Sequence, residues 1–506
     1  MNILFVIADQ LAAQALPAYG NLVVRTPNLD RIASEGVVFE NAYCSAPLCA
    51  PSRASFITGC LPSRLGVYDN GAELPASIPT MAHRLRALGY RTCLAGKMHF
   101  IGPDQLHGFE ERVTPDIYPA GLHWIPDWDA PLSEHKPWYH DMSSVFEAGI
   151  SEASLQMDYD EQVVLRSSQS IIDLARADDR RPFLLVASFS HPHDPWEIPA
   201  AYWDIYKDAR IDLPSVPALS DDALDPHSRR IREMCGGLGV EVPDEAVLRA
   251  RRAHYAAISY VDEKIGRLLE VLEAVGLRDS TAVVFAADHG EMLGERGLWY
   301  KMTFFEPSAA VPLIVSVPGT FSPRRVSANV SLLDLVPTLE QLAGGHIETG
   351  EELDGRSLVP LLDGAGSRHD PVVAEYLAEG AVAPVVMVQR GSLKFITSPG
   401  DPDQLFDLSN DPHELTNLAT APGQARDVAT FREDVAARWD LADLREKVLA
   451  SQRRRRLIAG ALSVGPQPDW DYRTADDTGE GYVRGADFWA PFRRARLRSS
   501  GPSHYR

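Results

Sequence analysis

The run Thr281-Ala282-Val283-Val284-Phe285-Ala286-Ala287 has no polar residue after its first position and passes at once into Asp288-His289-Gly290. A strand without a polar face must be covered on both sides, as strands are in a parallel sheet between helices. Similar runs occur at Ile3 to Ala8, Arg91 to Ala95, Phe183 to Phe189 and Leu313 to Val317. Helical stretches lie between them, at Asn28 to Glu35, Thr80 to Leu88, Asp160 to Ala177 and Arg249 to Val275. In the last of these, Ile258, Val261, Ile265, Leu268, Leu269 and Leu272 recur with a helical period. The alternation predicts an α/β fold with a large mixed, mostly parallel sheet sandwiched by helices.

The residues that follow these runs carry the chemistry. Asp9 ends the first, Lys97 and His99 follow the second, His191 and His193 the third, and Asp288 with His289 the fourth. Ligands in open α/β sheets bind beyond the carboxyl ends of the strands, so these groups are expected to meet in one crevice.

Beyond Gly366 the texture changes. Val372 to Tyr376, Val385 to Gln389, a turn at Arg390-Gly391 and Leu393 to Thr397 read as an antiparallel hairpin region, followed by a helical segment from Gln424 to Arg454. The expected division is a catalytic domain over 1–366, a smaller α+β domain over 367–462 and a C-terminal arm over 463–506. The arm reads either as a disordered tail or as a contact with a neighbouring subunit.

With 45% hydrophobic and 24% charged residues among 506, the chain can bury a large core and is neither fibrous nor disordered. A formal net charge of −21 speaks against nucleic acid and other long polyanions as partners and suits a small or zwitterionic substrate. The runs Arg453 to Arg456 and Arg493, Arg494, Arg496, Arg498 are local exceptions, read as a solvated helix face or a subunit contact. Met1 to Asp9 shows no basic start, and its apolar run is too short for an export signal, so the expected compartment is the cytoplasm, without membrane association. Cys44, Cys49, Cys60, Cys93 and Cys235 are odd in number and lack C-x-x-C spacing, which argues against a disulfide framework and a structural zinc site.

One cysteine stands apart by its surroundings. In Pro47-Leu48-Cys49-Ala50-Pro51-Ser52-Arg53-Ala54-Ser55-Phe56-Ile57-Thr58-Gly59, Pro51 is placed as the first residue of a helix ending near Gly59, with Cys49 at its N-terminus. Free N–H groups and the helix dipole there favour a thiolate or an oxyanion and attract an anionic substrate. The pattern Cys49-Ala50-Pro51-Ser52-Arg53 resembles the signature of the sulfatase family, in which a separate enzyme oxidises the cysteine to formylglycine. The segment Gly89 to His99 resembles the family's second signature, and Asp407-Leu408, Asp411-Pro412-His413-Glu414 and Asn417-Leu418 resemble its C-terminal motif. The resemblance implies the alkaline-phosphatase/sulfatase-like form of the α/β fold and hydrolysis of a sulfuric ester. The hydrated aldehyde carries two geminal hydroxyls, one to attack sulfur and one to lose a proton and expel sulfate.

By the same resemblance, Asp9, Gln10, Cys49 (as formylglycine), Asp288 and His289 line the site of one divalent metal. Many relatives have a second Asp where Gln10 stands and an Asn where His289 stands, so this chain departs twice. Oxygen donors suit Ca²⁺ or Mg²⁺ and an imidazole suits Mn²⁺; Ca²⁺ is favoured. Arg53 would hold the hydrated aldehyde, while Lys97 and Lys301 would grip sulfate oxygens. His99 would assist the formylglycine and His193 would protonate the leaving oxygen, with His191 as its alternate. A lone lysine is usually a surface charge, so these roles rest on the family match.

Gly96 to Arg112, Asp116 to Pro119, Trp138-Tyr139-His140, Gly294 to Trp299 and Glu375 to Gly380 are similar to the choline sulfatases of this family, which implies choline sulfate as the substrate. A trimethylammonium group donates no classical hydrogen bond and is held by aromatic faces and carboxylates. Trp124 is the candidate aromatic wall, Glu375, Glu379 or Asp487 of the arm the candidate charges, and His140 a contact to the ester. A formylglycine-generating enzyme is the expected partner in maturation, and a homo-oligomer, dimer or tetramer, the expected assembly. The rival enzyme reading is a phosphonate monoester or phosphodiester hydrolase with the same nucleophile. The rival of another class is a non-catalytic binding protein with unmodified Cys49.

Overall fold

The computed structural model describes residues 1–131, 140–348, 350, 352–366, 371–466 and 468–474. Its strands, numbered along the chain, form three sheets. The main one contains β1 (Asn2–Ala8), β2 (Val37–Tyr43), β3 (Arg91–Gly96), β4 (Glu111–Arg112), β6 (Phe183–Ser188), β8 (Thr281–Ala287), β9 (Ala310–Ser316) and β10 (Arg324–Ser331), in the order β10-β2-β9-β8-β1-β6-β3-β4. β5 (Gly149–Ile150) and β7 (Glu197–Ile198) form a separate short pair. β9 runs antiparallel to both neighbours and the other pairings are parallel, so the sheet is mixed and mostly parallel as expected.

Every residue from Ile3 to Ala8 is buried, which requires cover on both faces of β1. The 31-residue helix Asp244–Ala274 and the helix Leu155–Arg176 pack on each other, and the latter also lies against β3 and β6. Register then does the positioning. β1 pairs with β8 from Asn2 opposite Thr281 to Ala8 opposite Ala287, so the next residues, Asp9 and Asp288, leave the sheet side by side. β6 matches Ser188 to both Ile7 and Gly96, which brings the segments carrying Lys97 and His193 to the same end.

A second sheet, β11 (Val372–Tyr376), β12 (Val385–Arg390), β13 (Leu393–Ser398) and β14 (Asp401–Asp407), is antiparallel in that order. Gly391, at φ 60°, makes the turn between β12 and β13. Besides the two-residue strands β4, β5 and β7, three strands escape the sequence reading: β14 and the edge strand β10 are too polar to read as strands, and β2 carries Glu40 and Asn41 in mid-run.

The expected helix from Gln424 to Arg454 is instead two, Ala425–Arg438 and Leu441–Leu462. Trp439 is extended, and the Asp440 carboxylate caps the second helix by accepting from the N–H groups of Ala442 and Asp443. The run Arg453 to Arg456 lies inside that second helix and is not simply solvated. Arg453 pairs with Asp129 and Arg456 with Asp127, while Arg455 is buried on Asp69. Arg493, Arg494, Arg496 and Arg498 lie outside the described residues.

Candidate active site

Helix Cys49–Thr58 starts at the cysteine, so Pro51 is its third residue rather than its first; this still lies within the turn where backbone N–H groups have no helical partner. Gly59 closes the helix in the left-handed conformation, φ 74°. Cys49 is buried, with Sγ 3.1 Å from His289 Nε2 and 3.9 Å from both Asp9 Oδ1 and Lys97 Nζ. One turn further on, Arg53 is wholly buried, its Nε on Asp288 Oδ2 at 2.8 Å and its Nη2 3.3 Å from Asp9 Oδ2. Its Nη1 donates to Ser188 Oγ at 2.9 Å and to the Lys97 carbonyl, so one guanidinium braces the ends of β1, β3, β6 and β8. Lys97 forms an ion pair with Asp9.

Ligand atoms of Asp9, Cys49, Asp288 and His289 all lie within 4.8 Å of one another. The His289 Nδ1 faces the Gly290 carbonyl at 3.0 Å, which leaves Nε2 turned to the cluster. Burial pushes the Asp9 carboxyl up, but Lys97, His193 and Arg53 overcome it and hold the group well below the usual range. Burial lowers His289 to about 4 against the pull of Asp288, so its imidazole is neutral and able to ligate. The residues present therefore fit a divalent cation: two carboxylates and one aimed imidazole gathered around the Cys49 sulfur.

A second group adjoins the first. Lys301 Nζ donates to Gln10 Oε1 and, at 2.9 Å, to His193 Nε2, while His193 Nδ1 donates to the Asp194 carbonyl at 2.6 Å. Burial first, and Lys301 after it, hold His193 well below 6.5, so the free site keeps this ring neutral rather than poised near neutrality. His140 stacks on Tyr300 at 4.3 Å, with Nδ1 3.3 Å from Asp194 Oδ2. Burial and Lys301 lower His140 to about 4. His99, Tyr118 and Trp124 pack with ring centroids 5.3 Å apart in each pair, and Tyr118 lies 6.2 Å from His193 and 4.3 Å below Lys97 Nζ. Burial lowers His99.

Other expected residues are placed differently. His191 turns its Nδ1 to Asp160 at 2.7 Å and its ring to Tyr260, leaving His193 to meet Lys301. Glu375 is fully occupied by a structural clamp: it accepts from Ser63 N and Oγ at 2.8 and 2.6 Å and from Trp439 Nε1 at 2.6 Å, which removes it as a free charge for a cation. Glu379 is buried in the turn where the Ala378 carbonyl accepts from Trp128 Nε1 and its own carbonyl accepts from Tyr376. Asp487 lies outside the described residues. The sequence reading passed over Asn70, Asp194, Glu291 and Tyr300. Only the neighbourhood of Asp194 to His193 could have signalled one of them. A cavity of about 870 Å³ beside β10, lined by Tyr43, Arg324 and Gln389 among others, contains none of these groups.

Comparison with known proteins agrees with this geometry. Residues 1–345 match the family model described as sulfatase, 294–439 that described as N-sulphoglucosamine sulphohydrolase, C-terminal, and 446–489 that described as choline sulfatase enzyme C terminal. A choline-sulfatase of Rhizobium meliloti (strain 1021) is 46% identical over 490 residues, covering 96% of this chain and 95% of that protein. An arylsulfatase of Clostridium perfringens (strain 13 / Type A) is 31% identical over 443 residues, 82% and 90% of the two chains. Among solved structures, a phosphonate monoester hydrolase from Silicibacter pomeroyi superposes with a TM-score of 0.70 at 26% identity, covering 86% of this chain and 94% of that one. A phosphonate monoester hydrolase of Agrobacterium radiobacter shares the fold, with a TM-score of 0.69 at 24% identity over 88% and 96%. A nucleophile signature set at a helix start against paired strand-end acids, in a chain matched by the family model over most of its length, makes this protein a member of the sulfatase family and a sulfuric ester hydrolase.

Proposed function

We propose that the protein hydrolyses choline sulfate to choline and inorganic sulfate, with formylglycine made from Cys49 as nucleophile and one divalent metal, Ca²⁺ favoured, held by Asp9, Gln10, Asp288 and His289. The observation that carries the substrate class is the aromatic group Tyr118–Trp124, which adjoins His193 and Lys97 at the mouth of the cysteine site. The 46% identity to a choline-sulfatase over nearly the whole chain supports it.

When bound, the metal would lower the pKa of the nucleophilic hydroxyl and neutralise a sulfate oxygen. The chain's own residues do the rest. Arg53 fixes both carboxylates. Lys97, 3.9 Å from the Cys49 sulfur, and Lys301, beside His193, bind the ester's anionic oxygens. That anion offsets the two ammonium charges that depress His193, so the ring regains proton affinity once substrate is present. Lys301, already donating to His193 Nε2, keeps a proton at the place where the leaving oxygen needs one. Trp124 and Tyr118 offer ring faces to the trimethylammonium group.

The domain division at 366 and 462, the homo-oligomer and the maturation enzyme belong to the same proposal. So does the cytoplasmic setting, which suits five free cysteines; among the described residues no helix is long and apolar enough to cross a membrane. A second reading, phosphonate ester hydrolysis by the same site, is favoured by the structural likeness to the Silicibacter pomeroyi hydrolase. The test is steady-state turnover of choline sulfate, an aryl sulfate and a phosphonate monoester by protein with mass-confirmed formylglycine, beside Cys49→Ala. A preference for choline sulfate that vanishes in the variant is expected. A preference for the phosphonate transfers the site to the second reading, and equal turnover of neutral aryl sulfates removes the choline assignment.

A further inference from the structure

The amide of Gln10 is held by an ammonium and two acid side chains, of which Glu291 is pushed up to about 7 by its burial. Its Nε2 donates to Glu291 Oε2 at 2.5 Å and to Asp194 Oδ1 at 3.2 Å, and its Oε1 accepts from the Lys301 ammonium. Carboxylates only accept and an ammonium only donates, so the opposite orientation would set oxygen against two carboxylates and nitrogen against Lys301. Glu291 is itself immobilised. It is 2% exposed, and its Oε1 accepts from the backbone N–H groups of Leu293 and Tyr300, each at 2.7 Å. It thereby ties the residues just after Asp288 and His289 to those just before Lys301. The start of this loop is tight: a Cβ on Gly290 would lie 2.0 Å from the Pro307 carbonyl oxygen, so only glycine fits there.

We propose that Glu291 is a positioning residue: with Asp194 it fixes the Gln10 side chain so that the amide oxygen, not the nitrogen, faces Lys301 and the cation cluster. The inference rests on the metal-site reading above. Position 10 and position 291 then form a complementary pair, since a carboxylate at 10 would meet Glu291 and Asp194 as a third acid in a buried space. Such partners behind a ligand are worth roughly 10–100-fold in metal affinity.

The experiment is calorimetric titration of chelator-stripped protein with Ca²⁺, alongside thermal unfolding of the same stripped samples. In E291Q the new amide keeps its oxygen on the two backbone donors and turns its nitrogen to Gln10, which must flip to avoid a donor–donor contact. Ca²⁺ affinity is expected to fall roughly 10-fold or more. Q10E should also fall, from the added repulsion, and the reciprocal pair Q10E/E291Q should recover affinity and Tm above either single variant. Affinity in E291Q equal to wild type, or a double variant no better than the singles in either readout, overturns the proposal. If wild type binds no Ca²⁺ while the reciprocal rescue still appears in the Tm of stripped protein, the Gln10–Glu291 pairing stands and the metal reading fails.

Discussion

Arg455→Met tests how far the C-terminal helix supports the catalytic site. Arg455 reaches from helix Leu441–Leu462 to Asp69, Nη1 to Oδ1 and Nη2 to Oδ2 at 2.7 Å each, with Asp69 fully buried. Its Nε also donates to Ser451 Oγ at 3.1 Å. Methionine keeps most of the apolar stem but leaves the carboxylate, among the described residues, with the Gly71 N–H at 3.0 Å. Removing one partner of a buried pair costs about 3–5 kcal/mol, chiefly because the other charge is stranded. Asp69→Asn in the same background takes that charge away, so the double variant should regain part of the loss. A catalytic effect should accompany the loss of stability. The next residue, Asn70, accepts from the Ala50 N–H at 2.9 Å beside Cys49, and Gly71 sits so close to the Trp124 backbone that a Cβ would meet it at 2.8 Å. Urea unfolding of wild type, Arg455→Met, Asp69→Asn and the double variant measures the cycle, with KM for choline sulfate read on the same samples. An Arg455→Met protein within about 1 kcal/mol of wild type, or a double variant showing the full sum of the single losses, refutes the reasoning.

Arg53→Lys replaces four separate contacts, to Asp9, Asp288, Ser188 and the Lys97 carbonyl, with one ammonium; kcat should drop by about 10²-fold or more while Cys49 is still converted, as mass spectrometry would show. Trp124→Ala should raise KM for choline sulfate about tenfold with little change for a neutral aryl sulfate, as expected for one lost cation–π face. Burial holds His254 at about 3, below its usual 6.5, so the unfolded chain takes up this proton first and stability is lost as pH falls from 6.5 towards 3. His254→Phe should therefore reduce the slope of unfolding free energy near pH 5 by about 1.4 kcal/mol per pH unit; an unchanged slope means the ring already carries its proton when folded.

Much of this site could be read in the sequence because a parallel sheet converts order along the chain into proximity. Asp9 and Asp288 are 279 positions apart, yet each immediately follows a strand that is apolar after its first residue, and in-register pairing of β1 with β8 makes them neighbours. What stayed hidden lacks such a pattern. Glu375 stands inside a strand-like run and Glu379 just after it, and nothing in their spacing tells which is spent on Ser63 and Trp439. The four arginines from Arg453 read as one block of charge until the helical period separates buried Arg455 from exposed Arg454. β10 is an edge strand, mixed in burial, and an edge needs no apolar run.

Gln10 shows why a departure from a family pattern can carry information that the pattern does not. As a single position it looks like the loss of a ligand charge. Placed beside Glu291 and Asp194 it is the group that lets two further carboxylates approach the cluster without mutual repulsion, because an amide can donate to both and still turn its oxygen to Lys301. The acid group that a carboxylate would bring to position 10 stands instead one side chain further back, at Glu291. The sequence reports the neutral residue, and only the fold shows where the acid went.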